Sequence, residues 1–208
     1  MRKNTLLPVV LCMAAGLAHA SPELLRSAEK GDLTGVQRQL RSGAAVDARD
    51  TRQRTPLLLA TWANHPAVAQ ALIAAGADVN AKDDQQDSPY LVAGAHGRTE
   101  ILKMTLAHGA DLRSTNRYGG TALIPASEKG HPEAVRLLIQ AGADVDFVNK
   151  LGWTSLLEVA ILGQDTAVYQ DITRQLIAAK ANVNLPDKNG VTALQHARQR
   201  GLTQIAAL

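Results

Sequence analysis

Cysteine and aromatic residues are scarce in this 208-residue chain. Its single cysteine, Cys12, lies among the first 20 residues. If that segment is removed, as argued below, disulfide bonds, thiolate nucleophiles and zinc–thiolate sites are excluded from the remainder. Phenylalanine, tryptophan and tyrosine make up only 3% of the residues, while aliphatic residues and alanine are plentiful. That composition favours helices packed through small side chains over a large mixed α/β core.

The chain also lacks an excess of charge of either sign. It has 22 basic and 19 acidic residues, and two of the basic ones, Arg2 and Lys3, belong to the first 20 residues. The remainder therefore has a formal net charge of +1, from 20 basic and 19 acidic residues. Proteins that bind nucleic acid or anionic lipid through charge carry a strong basic patch. We expect this protein to bind neither.

The first 20 residues have the three parts of a secretory signal peptide. Arg2 and Lys3 form a positive start, a short apolar run follows, and a small-x-small cleavage site ends at Ala20. The run is shorter than the roughly 20 apolar residues that a membrane-spanning helix needs. We therefore expect cleavage after Ala20, no membrane insertion and a periplasmic destination. The alternative, a lipoprotein anchored at Cys12, is disfavoured because Leu11 stands where such signals have a small residue.

A pattern of the type Gly-Ala-Asp-Val-Asn recurs at a fixed spacing. It begins at Gly43 and returns at Gly76, Gly109 and Gly142 in steps of 33 residues, and a fifth copy begins at Lys180 after a step of 38. Two further landmarks keep the same phase. The first is a hydroxyl residue, at Thr55, Ser88, Thr121, Thr154 and Thr192. The second is a small or turn-forming residue, at Gly31, Asn64, Gly97, Gly130, Gly163 and Gly201.

These landmarks predict two helices in each unit. A Thr or Ser oxygen can accept hydrogen bonds from the unpaired amides of a helix's first turn, and Pro56 and Pro89 follow at the first helical position. Glycine or asparagine then provides the left-handed residue that ends the first helix. A second apolar stripe follows, for example Val68, Ala71 and Leu72. Each unit is thus a helix pair followed by an extended hairpin loop, here called a finger.

With three landmarks in fixed phase, the sequence resembles the ankyrin-repeat family, whose unit has about 33 residues and opens with T-P-L-H-x-A. The resemblance covers residues 22–208 and implies an all-α solenoid of about six helix-turn-helix units with finger-like hairpin loops. Units must stack, because one unit cannot bury its own apolar face. We predict a signal peptide at 1–20 and a repeat domain at 21–208. Its units, numbered one to six, span residues 22–50, 51–83, 84–116, 117–149, 150–187 and 188–208.

Three departures from the family pattern carry predictions. The histidine that follows T-P-L is absent from every unit, so that the tie between neighbouring units is expected to be mostly apolar there. Gln53 and Gln86 stand where the family usually has the finger glycine, so that fingers two and three are expected to turn differently. Lys180 replaces the glycine that ends the second helix, at a cost of about 1 kcal/mol if the left-handed conformation is kept.

The step of 38 residues places five extra residues around positions 164–170, in unit five. They either lengthen the loop between the two helices or extend a helix. A tolerated surface insertion is the simpler interpretation, because loop length costs little free energy. The alternative makes Tyr169 and its neighbours a contact for a partner.

No group of residues in the sequence predicts catalysis, a cofactor or a metal site. There is no G-x-S-x-G motif and no pair of histidines with metal-ligand spacing. His65 and His131 follow the helix-ending position, where a structural role is expected. Residues 119–121 lack the rest of a phosphate-binding loop. The aspartates within residues 83–87 lack the spacing of a calcium loop and are expected to be turn residues.

Recognition of another protein is the function that remains. In the ankyrin family, partner contacts usually come from the finger tips and the exposed end of each first helix. The resemblance therefore implies a contact surface of Arg52, Arg54, Trp62, Gln85, Asp87, His96, Arg117, Tyr118, Glu128, Lys129, Leu151, Trp153 and Ile161. Trp, Tyr and Arg most often dominate interface energies. The alternative for Trp62 and Trp153 is that they only cover gaps between units.

Our first functional hypothesis is a monomeric, non-catalytic scaffold that binds or protects a resident enzyme or envelope protein in the periplasm. A secreted effector that binds a host protein is the alternative, because bacterial ankyrin proteins are also used in that way. An enzyme built on the repeats is the third hypothesis, although no catalytic site emerges from the sequence.

Overall fold

The computed structural model describes residues 22–208, and the signal-peptide prediction lies outside the described residues. Within the described range the chain forms twelve helices and one isolated β-bridge, between Pro186 and Thr192. The first helices of the units are α1 (Pro22–Lys30), α3 (Pro56–Trp62), α5 (Pro89–Ala95), α7 (Leu123–Glu128), α9 (Ser155–Leu162) and α11 (Ala193–Gln199). The second helices are α2 (Leu33–Arg41), α4 (Pro66–Ala74), α6 (Thr99–Ala107), α8 (Pro132–Gln140), α10 (Ala167–Ala178) and α12 (Thr203–Ala206). The all-α prediction is confirmed.

The helices form two layers. Each first helix packs against the first helix of the next unit, and each second helix packs against the next second helix. The apolar core lies between the layers and is continuous along the described chain. Its largest fully buried side chains come from several units, and those of units two to five include Leu57, Leu72, Tyr90, Leu123 and Leu157. Stacking therefore buries what no single unit could bury, as expected for a solenoid.

Four of the five predicted hydroxyl caps are present. The side chains of Thr55, Ser88, Thr154 and Thr192 each accept a hydrogen bond from the amide three residues later. In unit six the cap is reciprocal, because the Gln195 side chain accepts a hydrogen bond from the backbone N–H of Thr192 at 2.8 Å. These bonds satisfy amides that the helix itself leaves unpaired.

The prediction that Thr121 caps a helix is wrong. Its hydroxyl has no hydrogen-bond partner within the described residues, and α7 begins only at Leu123. The cause is Pro125, which stands where the corresponding residue of the other four units donates its amide to the carbonyl of the Thr or Ser. Proline has no amide to donate. The Ile124 amide bonds the Thr121 carbonyl instead, at 3.3 Å, and is not available to the hydroxyl.

The left-handed residues that end the first helices are present as predicted, with one exception. Asn64 has a φ of 58°, and Lys180, at the end of a second helix, keeps the left-handed conformation with a φ of 69°. Gly163 does not end its helix in this way, because its φ is −68°. The expectation that fingers two and three turn differently is also wrong. Gln53 and Gln86 have φ values of 61° and 63°, in the same left-handed region as the finger glycines of the later units.

A side chain at the base of each finger explains why glutamine can replace glycine there. The Asp83 carboxylate accepts hydrogen bonds from the amides of Gln85 and Asp87, at 2.8 and 2.9 Å. These bonds close the turn around Gln86 whatever side chain that residue carries. The turn role expected for the aspartates of residues 83–87 is therefore confirmed for Asp83.

The extra residues of unit five both lengthen a loop and extend a helix. Residues 163–166 connect the two helices, and α10 has 12 residues where α2, α4, α6 and α8 have nine each. The Tyr169 hydroxyl donates a hydrogen bond to the Glu128 carbonyl at 2.9 Å, which links the added turn to unit four. The added turn therefore packs within the solenoid.

Neighbouring units are tied by both apolar and polar contacts. Four of the residues that replace the family histidine are buried, as expected, namely Leu58, Leu91, Ile124 and Leu157. Polar ties lie instead in the fingers, where Lys82 donates a hydrogen bond to the Thr115 carbonyl and Lys188 donates one to the Lys150 carbonyl.

None of the helices formed by residues 22–208 has the length and apolar character that a membrane span requires.

Candidate protein-binding surface

The finger tips and the ends of the first helices form one continuous depression across units two to five. We call it the inner groove, and its lining includes Arg52, Arg54, Trp62, Gln85, Asp87, His96, Arg117, Tyr118, Glu128, Lys129, Leu151, Trp153 and Glu158. The groove has three adjoining parts, which share walls at Trp62, Arg117 and Tyr118. The structure thus brings together every predicted contact residue except Ile161, which packs against the core, and Tyr169.

Trp62 and His96 form the apolar wall of the central part. Their rings meet edge to face with centroids 4.7 Å apart, and 39% of the Trp62 surface remains exposed. Burial, together with the positive charge of Lys129 and Arg98, lowers the pKa of His96 to about 4. His96 is therefore neutral at pH 7 and extends the tryptophan surface rather than adding charge. Trp62 covers part of unit three, yet it leaves a large face free for a partner.

The end of the groove near unit two is lined by arginines. Arg54 forms a salt bridge with Asp50 at 2.7 Å. The Arg117 guanidinium lies 3.3 Å from the side-chain oxygen of Gln85 and 4.0 Å from Asp87. Burial and repulsion from a neighbouring aspartate outweigh this distant arginine and raise the pKa of Asp87. This end can offer guanidinium groups to an acidic or polar partner surface.

Tyr118 and Leu151 project from neighbouring finger tips. They are 55% and 49% exposed, respectively, which is unusual for large apolar side chains in the same groove. The Arg117 guanidinium carbon lies 4.9 Å from the centre of the Tyr118 ring. The Lys150 amide donates a hydrogen bond to the Tyr118 carbonyl at 3.1 Å and fixes the two tips relative to each other. The tips are therefore both exposed and tied together.

Glu158 is a charged groove residue that the sequence did not predict as a contact. It lies in α9 and is only 4% exposed. One of its oxygens accepts a hydrogen bond from the Asn149 side chain at 2.9 Å, and the other has no partner within residues 22–208. Burial and then repulsion from Glu128 raise the pKa of Glu158 to about 7. An available signal was the single charge within the otherwise apolar helix, where the equivalent positions of α3 and α5 hold Leu59 and Val92.

Apart from Asp83, whose turn role was expected, the finger-base residues were also missed, although they share one phase of the repeat. The side chain of each finger-base residue accepts hydrogen bonds from the backbone amides two and four residues later. The finger-base residues are Asp50, Asp83, Asn116, Asn149 and Asp187. An Asp or Asn at one fixed position of every unit was the signal. These residues set the shape of the finger that holds the predicted contact residues.

Three further histidines, His65, His131 and His196, make contacts within the solenoid. A ring nitrogen of His65 lies 3.2 Å from the Glu29 carbonyl and the ring packs over Gly31, while His131 packs over Gly97 in the same way. His196 bonds Asp187 at 2.9 Å. Across the described part of the chain, no group of three or more His, Cys, Asp or Glu side chains is placed to hold a metal ion.

Known proteins match most of the described range. A family model of ankyrin repeats (three copies) matches residues 24–116 and 90–169. Among solved structures, an ankyrin repeat domain from Acinetobacter baumannii AYE is 56% identical with a TM-score of 0.86, over 88% of this chain and 94% of that one.

Two further solved structures are similar. The ankyrin repeat protein EF0377 is 44% identical with a TM-score of 0.85, over 89% of this chain and 94% of that one. The ankyrin repeat domain of Bcl-3, a member of the IkappaB protein family, is 30% identical with a TM-score of 0.78, over 88% and 82%. Comparison with curated protein sequences gives no match.

Proposed function

The chain belongs to the ankyrin-repeat family, and from that premise we propose that it is a protein-binding scaffold of the periplasm. Ankyrin repeats are in general non-catalytic scaffolds for protein–protein interaction. The proposal adds the place of binding, which is the inner groove, and the kind of partner, which is a resident enzyme or envelope protein that the scaffold binds or protects.

The observation that carries the proposal is the row of large side chains exposed in one groove. Trp62, Tyr118 and Leu151 lie in units two, four and five, and the half-buried Trp153 lies beside Leu151. Exposed apolar surface with a polar rim marks interaction sites, and Trp and Tyr are frequent hot spots. In this groove the rim is supplied by arginines at one end and by Glu128 at the other.

The rigidity of the fingers supports the same role. Lys150 donates a hydrogen bond to the Arg117 carbonyl at 3.0 Å, and Lys188 repeats this contact one unit further on. Together with the finger-base bonds, these ties hold the contact residues in place before a partner arrives. Binding then loses less conformational entropy than it would with mobile loops.

Affinity capture tests the proposal. The chain from residue 21 onward would be immobilised and exposed to a periplasmic extract, next to a variant carrying Trp62→Ala and Tyr118→Ala. A matched control carries Gln70→Ala and Lys103→Ala, two exposed positions on the second helices α4 and α6. We expect a protein that the wild type and the control retain and the groove variant loses. Equal retention by all three chains would contradict the proposed surface.

Cell fractionation tests the location separately. We expect the processed chain in the periplasmic fraction. Recovery of the processed chain from the medium would contradict the periplasmic proposal and support the secreted-effector alternative.

A further inference from the structure

We propose that the part of the inner groove between units four and five receives a lysine or arginine side chain of the bound protein. We call this part the Glu158 pocket, and it is lined by Tyr118, Glu128, Asn149, Leu151, Trp153 and Glu158. Its volume is about 260 Å³, just below the range of about 300–1,000 Å³ that is typical of pockets for drug-sized ligands. That size fits one side chain. The inference deepens the proposed protein-binding function and rests on it.

The pocket has a buried acceptor that is not satisfied. Glu158 is 96% buried, by its exposure of 4%, and one of its carboxylate oxygens has no hydrogen-bond partner within residues 22–208. Leaving a buried carboxylate oxygen without a partner costs free energy. A donor that reached it from the groove would recover that free energy on binding. The Asn149 hydrogen bond meanwhile holds the other oxygen in place.

The charge of the pocket selects a cation over a neutral donor. Glu128 lies at the edge of the pocket, and no salt bridge in the described part of the chain involves Glu128 or Glu158. The pocket lining contains no lysine or arginine, and burial and the Glu128 charge raise the pKa of Glu158 to about 7. A lysine or arginine would both donate a hydrogen bond to the unpaired Glu158 oxygen and offset the repulsion between Glu158 and Glu128. A neutral amide could only donate the hydrogen bond.

The pocket walls suit the same ligand. The aromatic rings of Tyr118 and Trp153 line it, and aromatic faces attract ammonium and guanidinium groups. Within residues 22–208, no lysine or arginine lines the pocket, and the basic side chains nearest to it make other contacts. Arg117 lies over Tyr118 and near Asp87, and Lys129 lies 3.5 Å from a ring nitrogen of His96. The cation must therefore come from another molecule.

A fluorescence titration tests the inference without knowledge of the partner. The protein has two tryptophans, so that Trp62→Phe leaves Trp153 as the only one. This variant would be titrated at constant ionic strength with the amide of N-acetyl-arginine, with the lysine equivalent and with the uncharged citrulline equivalent. We expect saturable binding of at least one cation, with a dissociation constant on the order of 1 mM for so small a ligand. Citrulline should bind about tenfold more weakly.

Variants and a second measurement complete the test. Glu158→Gln, in the same background, should weaken cation binding about tenfold, which corresponds to about 1.4 kcal/mol. Glu100→Gln, at an exposed position of α6, is the matched control and should change nothing. In the wild type, carbon NMR of the carboxyl group should show that the cation lowers the pKa of Glu158. Because this NMR measurement uses the wild-type protein, it does not depend on whether a variant folds correctly.

The outcomes separate this inference from the proposed function. Equal binding of citrulline, an unchanged response in Glu158→Gln, or no saturable response would each overturn the Glu158 pocket as a cation site. The scaffold role would still stand if Trp62→Ala abolished capture of a protein. Conversely, cation binding without any captured protein would support the pocket and contradict the scaffold proposal.

Discussion

Residue type is nearly constant among the units at one position of the repeat and varies at another. The constant position maintains the fold, and the variable position contributes to the candidate binding site. At the finger base, all five fingers have Asp or Asn, and each of these residues makes the same pair of hydrogen bonds. At the fifth position counted from the capping hydroxyl residue, the units have Leu59, Val92, Pro125, Glu158 and His196. The uniform position shapes every finger in the same way. The variable position contributes Val92, Pro125 and Glu158 to the groove lining, so that its chemistry differs between units three, four and five.

The comparison is tested most strongly at the finger base. Asp83→Ala removes the acceptor for two amides in a finger that also needs Gln86 in a left-handed conformation. Because hydrogen bonds to charged groups contribute about 1.5–3 kcal/mol each, we expect a loss of about 3 kcal/mol in the free energy of unfolding, measured with urea. Asn116→Asp should change it by less than about 0.5 kcal/mol, because Asp occupies the equivalent place in other fingers. Similar losses in both variants would refute the role given to the acceptor.

At the variable position, Glu158→Gln should stabilise the protein in a pH-dependent manner. The pKa of Glu158 is raised from 4.5 to about 7, so its protonated form contributes stability below pH 4.5 that is lost as the pH rises through about 7. We expect a gain of about 2 kcal/mol in the free energy of unfolding at pH 8 and little change at pH 4, compared by urea unfolding. A gain of the same size at both pH values would show that the charge of Glu158 is not the cause.

A smaller effect concerns the second repeated turn, at the end of the second helix. Lys180 has a φ of 69°, whereas the equivalent Gly76 has a φ of 89° and open space where a Cβ would lie. Lys180→Gly should therefore raise the free energy of unfolding by about 1 kcal/mol, and Gly76→Ala should lower it by about the same amount. Thermal or urea unfolding of the two variants measures both changes in the free energy of unfolding. Opposite signs would mean that contacts outweigh backbone conformation there.

The smallest effect concerns the apolar wall of the groove. His96 has a pKa lowered to about 4, so its neutral form contributes stability above its ordinary pKa of 6.5 that is lost as the pH falls through about 4. Proton NMR of His96 should give a midpoint near pH 4, and Trp62→Ala should move that midpoint upward because the ring becomes better hydrated. An unchanged midpoint would show that Trp62 does not bury the imidazole.

Periodic features of the sequence predicted the fold and most of the groove. The helix pairs, four of the five hydroxyl caps and the place of Trp62, Tyr118 and Leu151 all follow from a phase that repeats every 33 residues. Whether these side chains bind a protein stays a prediction. The predictions for Thr121 and Gly163 were wrong because the local sequence there departs from the repeat pattern. Pro125 removes an amide and shifts the start of α7, and the longer α10 leaves Gly163 outside the left-handed region.

Glu158 could not be assigned a role from the repeat because its consequence depends on three-dimensional surroundings. The sequence shows one charge in an apolar helix, but it does not show that only one carboxylate oxygen has a partner. Gln53 and Gln86 illustrate the same limit. Their turns are closed by the side chains of Asp50 and Asp83, and the sequence does not show the hydrogen bonds that these side chains accept.

The central claim is that the inner groove is the binding surface, and calorimetric titration of a captured partner tests it most directly. Trp62→Ala together with Tyr118→Ala should weaken binding by at least about 2 kcal/mol, or about thirtyfold, while circular dichroism shows that the scaffold remains folded. An unchanged affinity in a folded double variant would contradict the claim.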